Sequence, residues 1–277
     1  MDDLLNSHRV ICSTITLRHL PLAEALAEIG RLGFTEIDLG ALPGVCDHVP
    51  YVLDDEAVAA VADTVRASGL TVRSVNADVG DLNRPLTEDE QAARFAHVDR
   101  LIALCRAIGA TGLVLPNGAQ DHEPIVDLDG DLELVVSQLA AIEERTRAAG
   151  LQLWVEAPHF FRLCYDLDRT ARLLDRLPPT IGVICDVSHI VASGSTPPTF
   201  VELAGDRITH VHIRDAEPGY IHHSVGRGQV DFPATVAALR AIDYQGRFAL
   251  ELETRDVTNE ERPAAALAAG RYLSSLL

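Results

Sequence analysis

The chain has 277 residues, 47% of them hydrophobic and 5% aromatic, with a formal net charge of −18 at pH 7. That length suits one large α/β domain or two small ones and allows a substantial core. The charge disfavours a nucleic-acid partner and an anionic membrane surface, because both recruit basic patches. Cys12, Cys46, Cys105, Cys164 and Cys185 are an odd number of cysteines with no close pairing. They fit reduced thiols in a cytosol better than a disulfide framework. Neither a basic stretch leading into an apolar one at the start nor any run of about 18 apolar residues is present, so a cytoplasmic location is expected.

In chain order, residues 10–16 read as a buried strand and 21–32 as an amphipathic helix with Pro21 at its first turn. A second short strand covers 35–40. Residues 54–68 form a helix opened by acids and closed by Gly69. Residues 71–77 are a third strand. Thr87-Glu-Asp-Glu90 has the form of a capping box for a helix running to Ile108. Strand four is 112–116, and a helix over 132–149 leads to strand five at 152–156. Helix 168–177, strand 181–187, a short helix at 200–203, strand 208–214, helix 232–242, strand 248–253 and a helix over 260–276 complete the series. Between the last two strands of that series lies His222-His-Ser-Val-Gly-Arg-Gly-Gln-Val-Asp-Phe232, which reads as a loop. Eight strands alternating with eight helices, without a linker, predict parallel pairing and a single-domain (β/α)8 TIM barrel over residues 1–277. A doubly wound sheet is the competitor, but Ile15-Thr-Leu-Arg-His19 after strand one lacks the Gly-rich phosphate loop.

Strands five to eight each finish near a side chain able to hold a metal: Glu156, Asp186, His212 and Glu251. Along Ile208-Thr-His-Val-His-Ile-Arg214 the period of two puts His210, His212 and Arg214 on one face. Barrel active sites sit at the C-terminal ends of the strands, and neighbouring strands lie about 4.8 Å apart, so these four ligands can converge on one ion. Three carboxylates and an imidazole favour Mn²⁺ first, with Mg²⁺ or Co²⁺ close behind and Zn²⁺ also compatible. Taken singly, each has a blander reading: a solvated strand-end Glu, an Asx turn at Asp186-Val-Ser-His189, a core histidine at 212. Glu253 rivals Glu251. For Arg214, a salt bridge with Asp215 or another acid is an equal reading.

Val155-Glu156, Cys185-Asp-Val-Ser-His189, His210-Val-His-Ile-Arg-Asp215, Gly226-Arg-Gly-Gln-Val-Asp-Phe232 and Tyr244-Gln-Gly-Arg-Phe-Ala-Leu-Glu251 together resemble the xylose-isomerase-like TIM barrels. That superfamily includes sugar isomerases and epimerases, inosose dehydratases and apurinic-site endonucleases. The resemblance implies Glu251 as the last ligand, because the family's glutamate follows the Gly of strand eight (here Gly246) by five residues. It implies Glu156 and Glu251 as the pair that exchanges protons α to a substrate carbonyl, through a metal-stabilised enediolate. His189 and Arg214 would then hold substrate oxygens, with His159 and His222 as further contacts. Asn76, Pro116-Asn-Gly118 and Tyr220 stand where the endonucleases carry further ligands, so a mononuclear enzyme acting on a small sugar or polyol is expected. A lyase of the same fold (inosose dehydratase, dehydroshikimate dehydratase or C-glycoside-cleaving type) is the alternative. An endonuclease or a non-catalytic subunit ranks below it. The reading leaves room for a homo-oligomer. Trp154, Phe160, Phe161 and Tyr165 are equally pocket or packing residues.

Overall fold

The computed structural model describes residues 7–277. Its strands are β1 (Val10–Ser13), β2 (Glu36–Ala41), β3 (Thr71–Ala77), β4 (Gly112–Pro116), β5 (Gln152–Glu156), β6 (Gly182–Asp186), β7 (Ile208–Ile213), β8 (Asp215–Glu217), β9 (Tyr220–His223) and β10 (Phe248–Leu250). All but β8 and β9 close into a parallel barrel in the order β1-β10-β7-β6-β5-β4-β3-β2. Around it run α1 (Leu22–Arg31), α2 (Asp55–Ser68), α3 (Glu88–Ile108), α4 (Leu128–Ala148), α5 (Leu167–Leu174), α6 (Val187–Ala192), α7 (Pro197–Ala204), α8 (Phe232–Ala241) and α9 (Arg262–Leu276). The (β/α)8 barrel is therefore the fold.

The local signals work as the physics of helix ends requires. Thr87 and Glu90 make the reciprocal capping box of α3, and Gly69 and Gly109 take left-handed φ at the ends of α2 and α3. The described residues contain no helix long and apolar enough to cross a membrane. All five cysteines are free and buried.

Several expectations need correction, among them the eighth barrel strand, β10, which stops at Leu250, and the helix after strand five, α5, which stops at Leu174. Strand one stops at Ser13, whose hydroxyl accepts from the Ile15 amide and starts a 3-10 turn over Thr14–Leu17. The Thr14 hydroxyl then accepts from Gly40 N, and that of Thr16 bonds both Leu250 O and Leu252 N, tying this turn to the ends of β2 and β10. Helix α4 begins at Leu128, because Asp127 caps it through Gly130 N. Asp186 opens a short helix, α6. His222 and His223 lie not in a loop but in β9, paired antiparallel with β8.

The hairpin and the loop behind it hang on Asp215. Its Oδ1 accepts from Ala216 N and Val230 N, and its Oδ2 from Gly226 N. A Cβ on Gly228 would press into Asp215 Oδ1 and the Ala216 carbonyl oxygen. Gly228→Ala should therefore cost about 1–3 kcal/mol in urea unfolding, as overpacking of a tight site does. An unchanged midpoint would show that the loop gives way freely.

Candidate metal centre and active site

The barrel interior below the site is apolar on one side, where Val114, Trp154 and Ile184 pack together. His210 stacks on Trp154 with ring centroids 5.4 Å apart. Trp154 is thus a packing residue of the barrel floor.

One layer higher, β7 presents His212, and its Nδ1 faces three carboxylates. Glu156 Oε1 lies 3.2 Å away, Glu251 Oε2 3.3 Å and Asp186 Oδ2 3.9 Å. Ligand atoms from these four residues lie within 4.8 Å of one another, and all four side chains are buried. Strand pairing sets part of this directly, since Asp186 and His212 are register partners on β6 and β7. Glu251 falls one residue past β10, where its amide bonds the Ile213 carbonyl at 3.1 Å.

The donor set fits a hard divalent ion. Asp186 Oδ1 is consumed by Ser188 N, Ser188 Oγ and His189 N, so the residue does cap a helix as its blander reading held. Its Oδ2 remains buried without a hydrogen-bond partner and is turned toward the shared space. Such an orphaned carboxylate oxygen calls for a ligand.

Charge on the site follows from its surroundings. Burial pushes the Glu156 carboxyl up; the His212 hydrogen bond opposes this, and Glu251 and Asp186 add to it, leaving it at about 7. Burial opposes protonation of His212, yet Glu251 and the partners Asp38 and Glu156 outweigh it and hold the imidazolium well above its usual range. Burial also disfavours an ionised Asp186, but Arg214, His212, the Ser188 hydroxyl and the His189 amide overcome it and lower its pKa.

Around the four residues, a cleft of about 250 Å³ is lined by Phe161, His159, His189, Arg214 and His222, among others. That is small for a ligand pocket. His159 and His189 stack at 3.9 Å between centroids. Burial, followed by nearby cationic groups, keeps both well below the usual histidine range, hence neutral. Backbone amides donate to both Nδ1 atoms, from Phe161 to His159 and from Phe160 to His189. Each ring therefore carries its proton on Nε2, which faces Glu156 Oε2 at 3.8 Å for His159 and Asp186 Oδ2 at 3.9 Å for His189. His222 bonds the Glu253 carbonyl through Nδ1 at 2.9 Å.

Arg214 does not pair with Asp215. Its Nε and Nη2 donate to Ser188 Oγ, and its Nη1 lies 3.6 Å from Glu253. Glu253 in turn bonds Arg18 at 2.8 Å, so the rival of Glu251 is occupied by two arginines. Of the aromatic candidates, Phe161 reaches the cleft, whereas Tyr165 stacks on His122.

Three participants escape a reading of the strand ends. Asn76 of β3 donates to Glu251 Oε1 at 2.9 Å. Asp38 of β2 stands behind His212, its Oδ2 3.2 Å from Nε2. Arg162 enters the cleft wall, bonded to Asp78 and to the Gly118 carbonyl. The inward parity of Glu36-Ile-Asp-Leu-Gly40 is the one sequence signal that could have drawn attention to Asp38.

A closed barrel with such a cluster at the C-terminal ends of its strands defines a class of enzymes, and sequence comparison names the family. The profile of the xylose isomerase-like TIM barrel matches residues 24–276, and the chain belongs to that family. An inosose dehydratase of Lacticaseibacillus casei is 25% identical over 221 residues, covering 69% of this chain and 72% of that one. An L-ribulose 3-epimerase of Methylomonas sp. is 39% identical over 81 residues, 29% of this chain and 27% of that one. The structure of the IOLI protein with a binding zinc atom superposes with a TM-score of 0.77 at 18% identity, covering 96% and 98% of the two chains. At that identity the superposition shows the shared fold alone.

Proposed function

We propose that this chain is a divalent-metal-dependent epimerase or isomerase of a keto-sugar or related small polyol, working by proton abstraction α to a carbonyl. The observation that carries the reading is the pair Glu156 and Glu251. Each turns one oxygen to the shared space beside His212 Nδ1, while Glu156 keeps its other oxygen near His159 and Glu251 gives its own to Asn76. Two carboxylates flanking one space can take a proton on one face and return one on the other, as general acid–base work requires.

Glu156, Asp186, His212 and Glu251 would hold the ion, Mn²⁺ first among the hard candidates. When bound, it would supply Lewis acidity toward a substrate carbonyl oxygen. The rest falls to the chain. One glutamate removes the α-proton and the other delivers a proton to the opposite face. Arg214 and the Nε2–H of His189 donate toward oxygens that gain charge. His159 orients Glu156, and His222 and Phe161 close the side of the cleft. A cleft of about 250 Å³ suits a monosaccharide-sized ligand better than a polymer.

Elimination is the second reading, favoured by the inosose dehydratase match over 69% of the chain. It needs a proton for the leaving hydroxyl, and the glutamate that took the α-proton can return it there on the same face, with the neutral His159 or His189 donating a hydrogen bond through Nε2–H. The two readings part in D₂O. Mn²⁺-loaded protein incubated with a panel of ketohexoses and keto-inositols should put one deuterium on the α-carbon of the true substrate without loss of mass elsewhere. A product lighter by one water identifies the dehydratase. Neither label nor water loss from any member of the panel would sink both.

A further inference from the structure

Beneath the four converging side chains lies a second buried polar group that those roles do not use. Asp38, Ser74, His210 and His212 are all fully buried inside the barrel. Barrel interiors are ordinarily filled by branched apolar side chains. A carboxylate in such a place is costly to bury unless partners offset it. The Ser74 hydroxyl donates to Asp38 Oδ1 at 2.8 Å, which fixes the plane of the carboxylate. Its Oδ2 then faces His212 Nε2 at 3.2 Å, within ion-pair distance, and neither atom has a hydrogen-bond partner. His210 stands 4.0 Å from the same oxygen with both ring nitrogens unpartnered.

We propose that Asp38 is the positioning residue of the metal centre: held by Ser74, it receives the Nε2–H of His212 and so fixes the ring with its Nδ1 lone pair toward Glu156, Asp186 and Glu251. This rests on the metal-site reading above and extends it to a residue that touches neither ion nor substrate. A histidine has two nitrogens and only one can face the ion; the hydrogen bond made by the other decides which, and holds the ring against rotation. Asp38 reaches His212 from β2 across the barrel, so the ligand is gripped from a strand that supplies no ligand itself.

The same residues could instead hold a second cation, since ligand atoms of Asp38, His210 and His212 lie within 4.8 Å of one another. Local charge disfavours it. The guanidinium of Arg73 lies over Trp154, 5.0 Å from the ring centroid, and Trp154 stacks on His210, so this floor is already cationic.

The test is titration of the chelated full chain with Mn²⁺ and with Co²⁺ by calorimetry, together with the visible absorption of the Co²⁺ form. Asp38→Ala should raise Kd by about 10–100-fold and alter the Co²⁺ spectrum. Asp38→Asn, which can still accept from Nε2–H without the charge, should fall between Ala and the parent. A purely structural role would lower thermal stability while leaving Kd and spectrum of the folded protein unchanged, and that result overturns the proposal. If Asp38→Ala does not fold, an Asp38→Asn chain with parental Kd and spectrum overturns it equally. Two ions per parental chain, the second lost in Asp38→Ala, would make Asp38 a ligand and also overturn it. A parental chain that binds neither ion removes the metal reading and this inference together, whereas parental binding with unaffected variants removes only the role of Asp38.

Discussion

Glu156→Gln and Glu251→Gln each remove about 10²–10⁴-fold of turnover, measured as kcat with a substrate found in the D₂O screen. Gln keeps the shape and one acceptor oxygen but neither takes a proton nor offers an anionic ligand, so metal retention falls in both variants. The two differ in what remains. Glu251 is pinned by Asn76, whereas Glu156 has the neutral His159 only at 3.8 Å, too far for a hydrogen bond. In a reaction with one base on each face, the remaining glutamate still exchanges the α-proton of one epimer with solvent while inversion stops. Each variant should therefore wash deuterium into one epimer of the pair and not the other. Near-parental kcat in either variant would take that residue out of the mechanism.

Chelation should abolish turnover entirely, and Mn²⁺ should restore it. Binding to the folded chain alone stabilises it by about 2.7 kcal/mol when free metal is about 100 times Kd, readable as a rise in Tm. The pH dependence of that binding has a definite sign. Metal-free, Glu156 titrates at about 7 and the His212 imidazolium persists well above the usual histidine range. Both must give up their protons to serve as ligands. Protons are therefore released on binding, and affinity rises with pH by about tenfold per unit for each proton displaced, as one pKa unit corresponds to a tenfold change. Calorimetry in two buffers of different ionisation enthalpy counts the protons. Affinity that is flat from pH 6 to 8 would mean that the ion sits elsewhere.

Much of this architecture could be read from the chain as written. Gly69, Gly109 and the Thr87–Glu90 box mark helix ends because their chemistry is local: a left-handed φ and an amide needing an acceptor do not depend on distant residues. The alternation of strand and helix restricts the topology to parallel pairing. The placement of Glu156, Asp186, His212 and Glu251 at strand ends then follows, because parallel strands of one barrel all end on the same face.

Contacts between strands far apart in sequence could not be read that way. Asp38 and Asn76 sit on β2 and β3, and their significance arises only because the closed barrel brings them across its interior to His212 and Glu251. The family resemblance already picks Glu251 over Glu253 through its spacing from Gly246; the tertiary structure adds the physical reason, for Glu253 is taken by Arg18 and Arg214. His222 and His223 read as loop because a three- or four-residue hairpin strand carries too little periodicity to register, and its pairing with β8 depends on the Asp215 anchor. Local chemistry names the ends of elements; which side chains meet inside the barrel is settled by closure, which no short window of sequence contains.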